Sequence, residues 1–409
     1  MDRSKDNSFD TLITPIVERQ EKINLWILSQ IAQKIKEIGK VLPSDVQKLI
    51  RLRNTGSDVR EIKKKLAEFS KVQEKEITKM IEEVARVNYV QAKPFYDARH
   101  KPYIPFDKNT DLQRTVEAIK RQTNGTYKNI AKAQAFQIRD LKNPKRLIDT
   151  PLSQAYQSVV DEAIQVVQSG TVDYNTAMRR TMKQLVESGL RTVEYEAESG
   201  KKHTQRMDTA VRRNLLDGVR QVNQEVQNIT GEQFGADGIE LSVHQYPAPD
   251  HAPVQGHQFY KTEFEKMQNN QMFTDVQGRM YKPFKRAIGT LNCRHFAFNI
   301  IVGHAEQNYT DEELQEILDR NEKGYTTPNG KHMTMYECTQ KQRWYESQIR
   351  KAKDGQIAAR ESGDMALARE YQAKVDKYTK QYKAFSKACG LSVKNTKLTV
   401  SGYHKIKAG

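Results

Sequence analysis

The chain has 409 residues, enough for two or three domains, and carries a net charge of +16 with 37% hydrophobic and 29% charged residues. It holds no run of about 18 apolar residues able to span a bilayer, and its start, MDRSKDNSFDTLITPIVERQ, lacks the apolar core and cleavage site of a secretory signal. Three scattered cysteines, Cys293, Cys338 and Cys389, make no disulfide framework and point to a reducing compartment.

From Asn7 to about Val90 the pattern predicts helix, with Leu12, Ile16, Ile23, Ile27, Ile31, Ile35 and Ile38 recurring at helical spacing. Pro43-Ser44-Asp45 marks a break and a new N-cap, and Asn54 to Asp58 marks a second break. Residues 91–110 hold three prolines among aromatics and predict an extended connector docked on a neighbour. Helices are expected again from Asp111 to about Val226, punctuated at Asn143-Pro144, Asp149-Thr150-Pro151 and Ser169-Gly170. IELSVHQY, from Ile239, alternates as a strand does, and residues 239–305 predict a small α+β unit. Thr310-Asp311-Glu312-Glu313 resembles a capping box. A helical pair follows, breaking near Asp354-Gly355 or Ser362-Gly363, and Tyr371, Tyr378 and Phe385 form a seam on its second arm.

These elements predict a mainly α chain with a small α+β domain. The expected parts are an elongated helical N-terminal half (1–90), a Pro/aromatic connector (91–110), a helical domain (111–235), a compact His/Cys-bearing unit (236–308) and a basic helical pair (309–409). From Lys331 onward there are 17 Lys or Arg against 7 Asp or Glu, so ten of the sixteen net charges lie in the last fifth. Such a block suits nucleic acid, an acidic protein face or a membrane surface, or it is a solvated helix surface. The candidate contacts are Arg350, Lys351, Lys353, Lys374, Lys377, Lys380 and Lys383.

Five of the nine histidines fall between residues 244 and 304. Imidazole and thiolate are the usual zinc ligands, and a structural site takes four of them. His244 and His251 on one loop, with Cys293 and His295 on another, supply that number. The spacing H-x6-H with C-x-H is not that of a zinc finger, so loop histidines bonded to backbone around a buried cysteine remain an alternative. Arg294, between Cys293 and His295, is expected to organise the turn through its planar donor fork. Cys293, His295 and Asp250 also supply the residue types of nucleophilic catalysis, but such partners meet only through the fold. No G-x-S-x-G, H-E-x-x-H, phosphate loop or dinucleotide fingerprint is present, so no catalytic residue is assigned and no enzyme is expected.

At three blocks the sequence resembles the phage minor capsid protein 2 family. They are His244…Asp250-His251-A-P-V-Q-Gly256, then Leu291-N-C-R-His295, then Tyr336-E-C-T-Q-K-Q-Arg343-W-Y-Glu346-S-Q-I-Arg350 with Gln381-Y-K-A-Phe385-S-K-A-C-G-Leu391. The family's Gly-Ala-Arg segment after the first histidine is replaced here by Gln245-Tyr246-Pro247-Ala248. The Asn-Cys-Arg turn is also similar to that of Mu-like head morphogenesis proteins. The resemblance implies a structural protein of the bacteriophage head near the portal, supporting head assembly and DNA packaging or ejection. Its implied partners are the portal and major capsid proteins and packaged double-stranded DNA. It implies a place in the virion, reached from the host cytoplasm during assembly. The competing reading is a virion-carried metal-dependent hydrolase or nuclease, with an open metal position and a carboxylate base.

Overall fold

The structure is a computed structural model that describes residues 8–139, 143, 146–169, 173–196, 202–284, 286–289, 293 and 295–406. The first helices are α1 (Ser8–Ile38), α2 (Val46–Arg53) and α3 (Gly56–Gln91). Asp45 caps α2 by accepting from the Lys48 amide at 3.1 Å, as the Pro-Ser-Asp break predicts.

Residues 91–110 depart from the expected extended connector. They contain α4 (Lys93–Ala98) and a 3-10 turn at Phe106–Lys108. Pro94 stands in the first turn of α4, where its missing N–H costs no helical bond. The aromatics of this stretch are docked: Tyr96 and Phe106 are buried, and the Tyr89 and Tyr103 rings stack at 5.1 Å.

The stretch from Asp111 to Val226 is not purely helical. After α5 (Thr110–Lys132) come β1 (Gln134–Arg139) and β2 (Leu147–Pro151), then α6 (Leu152–Ser169) and α7 (Tyr174–Ser188), then β3 (Arg191–Glu196) and β4 (Lys202–Arg206), and α8 (Met207–Phe234). The strands form one antiparallel sheet in the order β2-β1-β3-β4, with Ile138 opposite Ile148 and Ala135 opposite Arg191. QAFQIR and LIDTP are short and form a hairpin with each other, while β1 also pairs with β3 more than fifty residues further on, a partner that no local pattern announces.

Then follow β5 (Gly238–Leu241), β6 (Gln258–Tyr260), α9 (Lys261–Gln268), β7 (Phe273–Thr274), β8 (Met280–Tyr281) and β9 (Ala297–Ile300). The last elements are α10 (Asp311–Lys323), β10 (Tyr325–Thr326), β11 (His332–Met333), α11 (Met335–Glu361) and α12 (Met365–Ala388). The capping box at Thr310 and Glu313 forms in both directions. Of the two candidate breaks in the C-terminal pair, the chain turns at Gly363, and Gly355 stays helical. A Cβ on Gly355 would collide with the Tyr371 ring, so this glycine permits close approach of α12 to α11. Of the expected seam Tyr371 is buried while Tyr378 and Phe385 are only partly so, and the neighbouring Val375 and Tyr382 are buried instead.

The chain forms two compact units, each discontinuous in sequence. The first comprises 74–126 and 212–340 with the chain up to residue 15. The second comprises 16–73, 127–211 and 341 onward. Inside the first, Ile239, Leu241, Phe259, Phe273 and Phe284 form the core of the small α+β part.

The second unit has a polar centre. Arg350 reaches Glu21 at 2.6 Å, and Arg206 reaches Asp208 at 3.2 Å and Asp354 at 3.6 Å. Burial raises Glu21 to about 7 against the pull of Arg350, and raises Asp354 to about 6 against that of Arg206. Asp208 is held below the usual range, because the two arginines outweigh its burial. Folding therefore draws Glu21 and Asp354 toward their protonated forms. Their stabilising effect is full below the ordinary carboxylate range and is lost as pH rises through about 6 to 7. The urea midpoint for this unit is expected to fall between about pH 5 and pH 8, and Glu21→Gln should flatten the fall. Equal slopes in wild type and variant would show that Glu21 does not titrate in this window.

Candidate metal centre

The candidate centre is built around the end of β5. That strand lies between β6 and β9, with Leu241 opposite Ala297. The pairing brings the residues before Ala297 alongside those after Leu241. Two further bonds fix this alignment: the Ser242 amide donates to the Phe296 carbonyl, and the Phe296 amide to Ser242 Oγ, each at 2.9 Å. The loop after β5 carries His244 and His251, then a 3-10 turn at Ala252–Val254. It returns through Gly256, whose φ is 76° and whose amide donates to the Leu241 carbonyl at 3.0 Å. A side chain there would be strained and would strike Leu314 and Val243, so the Gln-Gly end of the loop requires glycine.

Three of the four expected donors converge. Cys293 Sγ lies 3.3 Å from His251 Nδ1 and 3.5 Å from His295 Nδ1, and all three residues are buried. The fourth, His244, sets its ring against His295 with centroids 4.4 Å apart. Arg294 lies outside the described residues.

The hydrogen bonds around the cluster fix the ring tautomers. His251 Nε2 is 2.8 Å from the Arg286 carbonyl, which can only accept, so Nε2 carries the proton and Nδ1 turns a lone pair toward Cys293. Gln255 Oε1 accepts from the His244 amide at 2.9 Å and stands 3.5 Å from His295 Nε2. The same reasoning leaves the Nδ1 lone pair of His295 facing the sulfur. Two imidazole lone pairs thus face one thiol, which has one proton to give. A metal ion satisfies that excess directly. In a tetrahedral site with Zn–S near 2.3 Å and Zn–N near 2.0–2.1 Å, the S···N separation is about 3.5 Å, close to both observed distances. A ligating histidine typically donates its other N–H to a carbonyl or similar acceptor, as His251 does to Arg286. The residues present fit zinc.

The electrostatics agree with a thiolate-forming site. Burial pushes the Cys293 thiol up, but the bond to His251 outweighs it and holds the thiol below its ordinary value. Burial works against the charged form of His251, yet Cys293 and the Arg286 carbonyl raise its pKa. His295 is kept far below its ordinary value, first by burial and then by His244 and His251.

Asp250 is gripped by Arg286 through two bonds of 2.9 Å and lies 3.7 Å from His251 Nε2. It braces the loop rather than facing the sulfur. Gln255 and Arg286 are the contributors the residue-type argument misses. Gln255 stood in the Gln-Gly motif as a possible signal, whereas Arg286 acts through its backbone carbonyl, which no residue type announces.

The basic residues singled out in the C-terminal pair divide into two groups. Arg350 is paired with Glu21, Lys353 donates to the Leu398 carbonyl at 2.6 Å, and Lys351 is half-buried with its pKa lowered by burial. Lys374 pairs with Glu370 at 3.5 Å. Lys377, Lys380 and Lys383 are exposed on α12, opposite its buried seam.

The sequence profile described as phage minor capsid protein 2 matches residues 5–387. No curated protein and no solved structure matches the chain.

Proposed function

The chain belongs to the phage minor capsid protein 2 family, and on that premise we propose that this bacteriophage structural protein works beside the portal, in head assembly and in DNA packaging or ejection. Its partners on this reading are the portal and major capsid proteins and packaged double-stranded DNA. It assembles in the host cytoplasm and ends in the virion. Among the described residues no helix is long and apolar enough to cross a membrane.

The observation that carries the reading toward DNA is the outer face of α12. Lys377, Lys380, Lys383 and Lys387 are exposed there and make no ion pair among the described residues. A stripe of unpaired ammonium groups meets phosphates without reading bases. The full chain is expected to bind random-sequence duplex DNA with micromolar affinity at about 50 mM salt, weakening steeply as salt rises. Changing Lys377, Lys380 and Lys383 to Gln should remove most of that binding. No binding by the wild-type chain under these conditions would overturn the DNA contact and leave an acidic protein face as the reason for the stripe.

His251, Cys293 and His295 would hold Zn²⁺ as a structural fastener, with His244 the candidate fourth ligand. Such an ion supplies a crosslink between the loop after β5 and the turn before β9. A hydrolytic role is less well supported, because the nearby carboxylate, Asp250, is engaged by Arg286 and is not aimed at the donor set.

A further inference from the structure

Beyond α12 the chain turns at Gly390, φ 68°, and runs back along the groove between α11 and α12 as an arm of residues 392–406. The groove holds this arm mainly by its backbone. Gln342, Lys353, Gln356 and Arg360 of α11 donate to the carbonyls of Ser392, Leu398, His404 and Gly402, at 3.0, 2.6, 2.7 and 3.1 Å. From α12, the Tyr382 hydroxyl accepts from the Lys394 amide at 2.9 Å and Gln372 Oε1 from the Ile406 amide at 3.1 Å. Side chains add fewer holds: Leu398 is buried, the Tyr403 hydroxyl donates to Gln372 at 2.9 Å, Lys353 Nζ lies 4.7 Å from the Tyr403 ring centre, and Lys405 pairs with Asp376 at 3.2 Å.

Two consequences follow from this division. Gln342, Gln356 and Gln372 are buried beneath the arm, at 6%, 0% and 6% exposure, and the Gln356 amide and Gln372 Oε1 direct their bonds to the arm, while Gln342 divides its amide between Ser386 and Ser392. The groove is thus shaped for an extended segment, and it recognises backbone groups that every copy of the arm presents. The arm, in contrast, is mostly exposed, with Leu398 as its main apolar hold, and such a segment opens at low cost. Between α12 and the first groove contact, at Ser392, lies a short hinge at Gly390 and Leu391, neither of them buried.

We infer that the arm is exchangeable: residues 392–406 of one copy seat in the α11/α12 groove of a second copy when copies are held side by side. The second copy is the occupant the geometry favours, because its arm presents the same backbone groups at the same spacing. An arm bound in its own groove competes at an effective concentration in the millimolar range, so the free chain stays closed and exchange appears when copies are concentrated.

A complementation experiment on the full chain tests this. Leu398→Asp spoils the arm and frees its groove. Gln356→Ala with Gln372→Ala spoils the groove and frees an intact arm. Each variant alone should sediment as a monomer. Their equimolar mixture at about 200 µM should yield a heterodimer, since one supplies the groove and the other the arm. A mixture that stays monomeric while both variants keep wild-type helical content would overturn the proposal. Amide exchange on the wild-type chain gives a second measurement that no variant can spoil. The arm amides of Lys394 and Ile406 should exchange at least about tenfold faster than those of α11. Equal protection would show that the arm never leaves its groove and would likewise end the proposal.

Discussion

Cys293→Ser is expected to lower Zn²⁺ affinity by more than about 100-fold, beyond the 10- to 100-fold typical of changes to groups that only brace a ligand. The thiolate is the sole anionic donor in the set and the one group that both histidines face. A serine hydroxyl at this position stays protonated and binds zinc weakly, while it keeps nearly the same volume. The chain purified with zinc supplied should carry about one ion, read by plasma mass spectrometry, and the variant close to none. Cys338→Ser and Cys389→Ser, also at buried thiols, should leave metal content unchanged. Loss of the ion should also lower the thermal midpoint of the first unit, because binding free energy is there folding free energy. A wild-type chain without zinc would sink the metal reading and leave a buried thiol hydrogen-bonded to two imidazoles.

The second large effect is expected at Arg206. Arg206→Met removes the cation between Asp208 and Asp354 and leaves two carboxylates in a poorly solvated centre. Breaking a fully buried ion pair costs about 3–5 kcal/mol; with Arg206 26% and Asp354 20% exposed, the loss is expected at the lower end of that range, still a sizeable share of the stability of most domains. Arg53→Ala is the matched control, since its pair with Asp161 is exposed and such pairs contribute at most about 1 kcal/mol. Urea unfolding of both variants at neutral pH would separate the two cases. Similar midpoints for Arg206→Met and Arg53→Ala would show that the centre is far better hydrated than its packing indicates. Adding Asp354→Asn to Arg206→Met should recover part of the loss, because it withdraws one of the stranded charges.

What the sequence reveals and what it conceals follow from the range of the interactions. The break before α2 and the cap at Thr310 were legible because capping is settled within four residues. The strands β1 to β4 were not, since β1 finds β3 more than fifty residues away and its polar positions carry no clean alternation. His251, Cys293 and His295 stood out by their chemistry, and the β5–β9 pairing that unites them fits their positions on either side of it. The inward turn of Arg350 and Lys353 had no local sign. Their partners, Glu21 and the Leu398 carbonyl, are 329 and 45 residues distant. A basic residue on an amphipathic helix looks the same whether it meets water, DNA or a remote carboxylate.

The interleaving of the two units has a bearing on how the chain is made. Glu21 leaves the ribosome far ahead of Arg350, and at about 5–20 residues per second that gap is on the order of tens of seconds. Throughout it, the segments 16–73 and 127–211 lack the stretch from 341 onward that closes their unit. Neither unit is finished when its first segment emerges, so the nascent chain has no stage at which an N-terminal domain stands complete. Closure waits on contacts of very long sequence separation, which fold slowly and leave apolar helix faces exposed meanwhile. Synthesis of this protein should therefore depend on holdase chaperones, and premature termination within α11 should yield an aggregating product rather than a shortened working one.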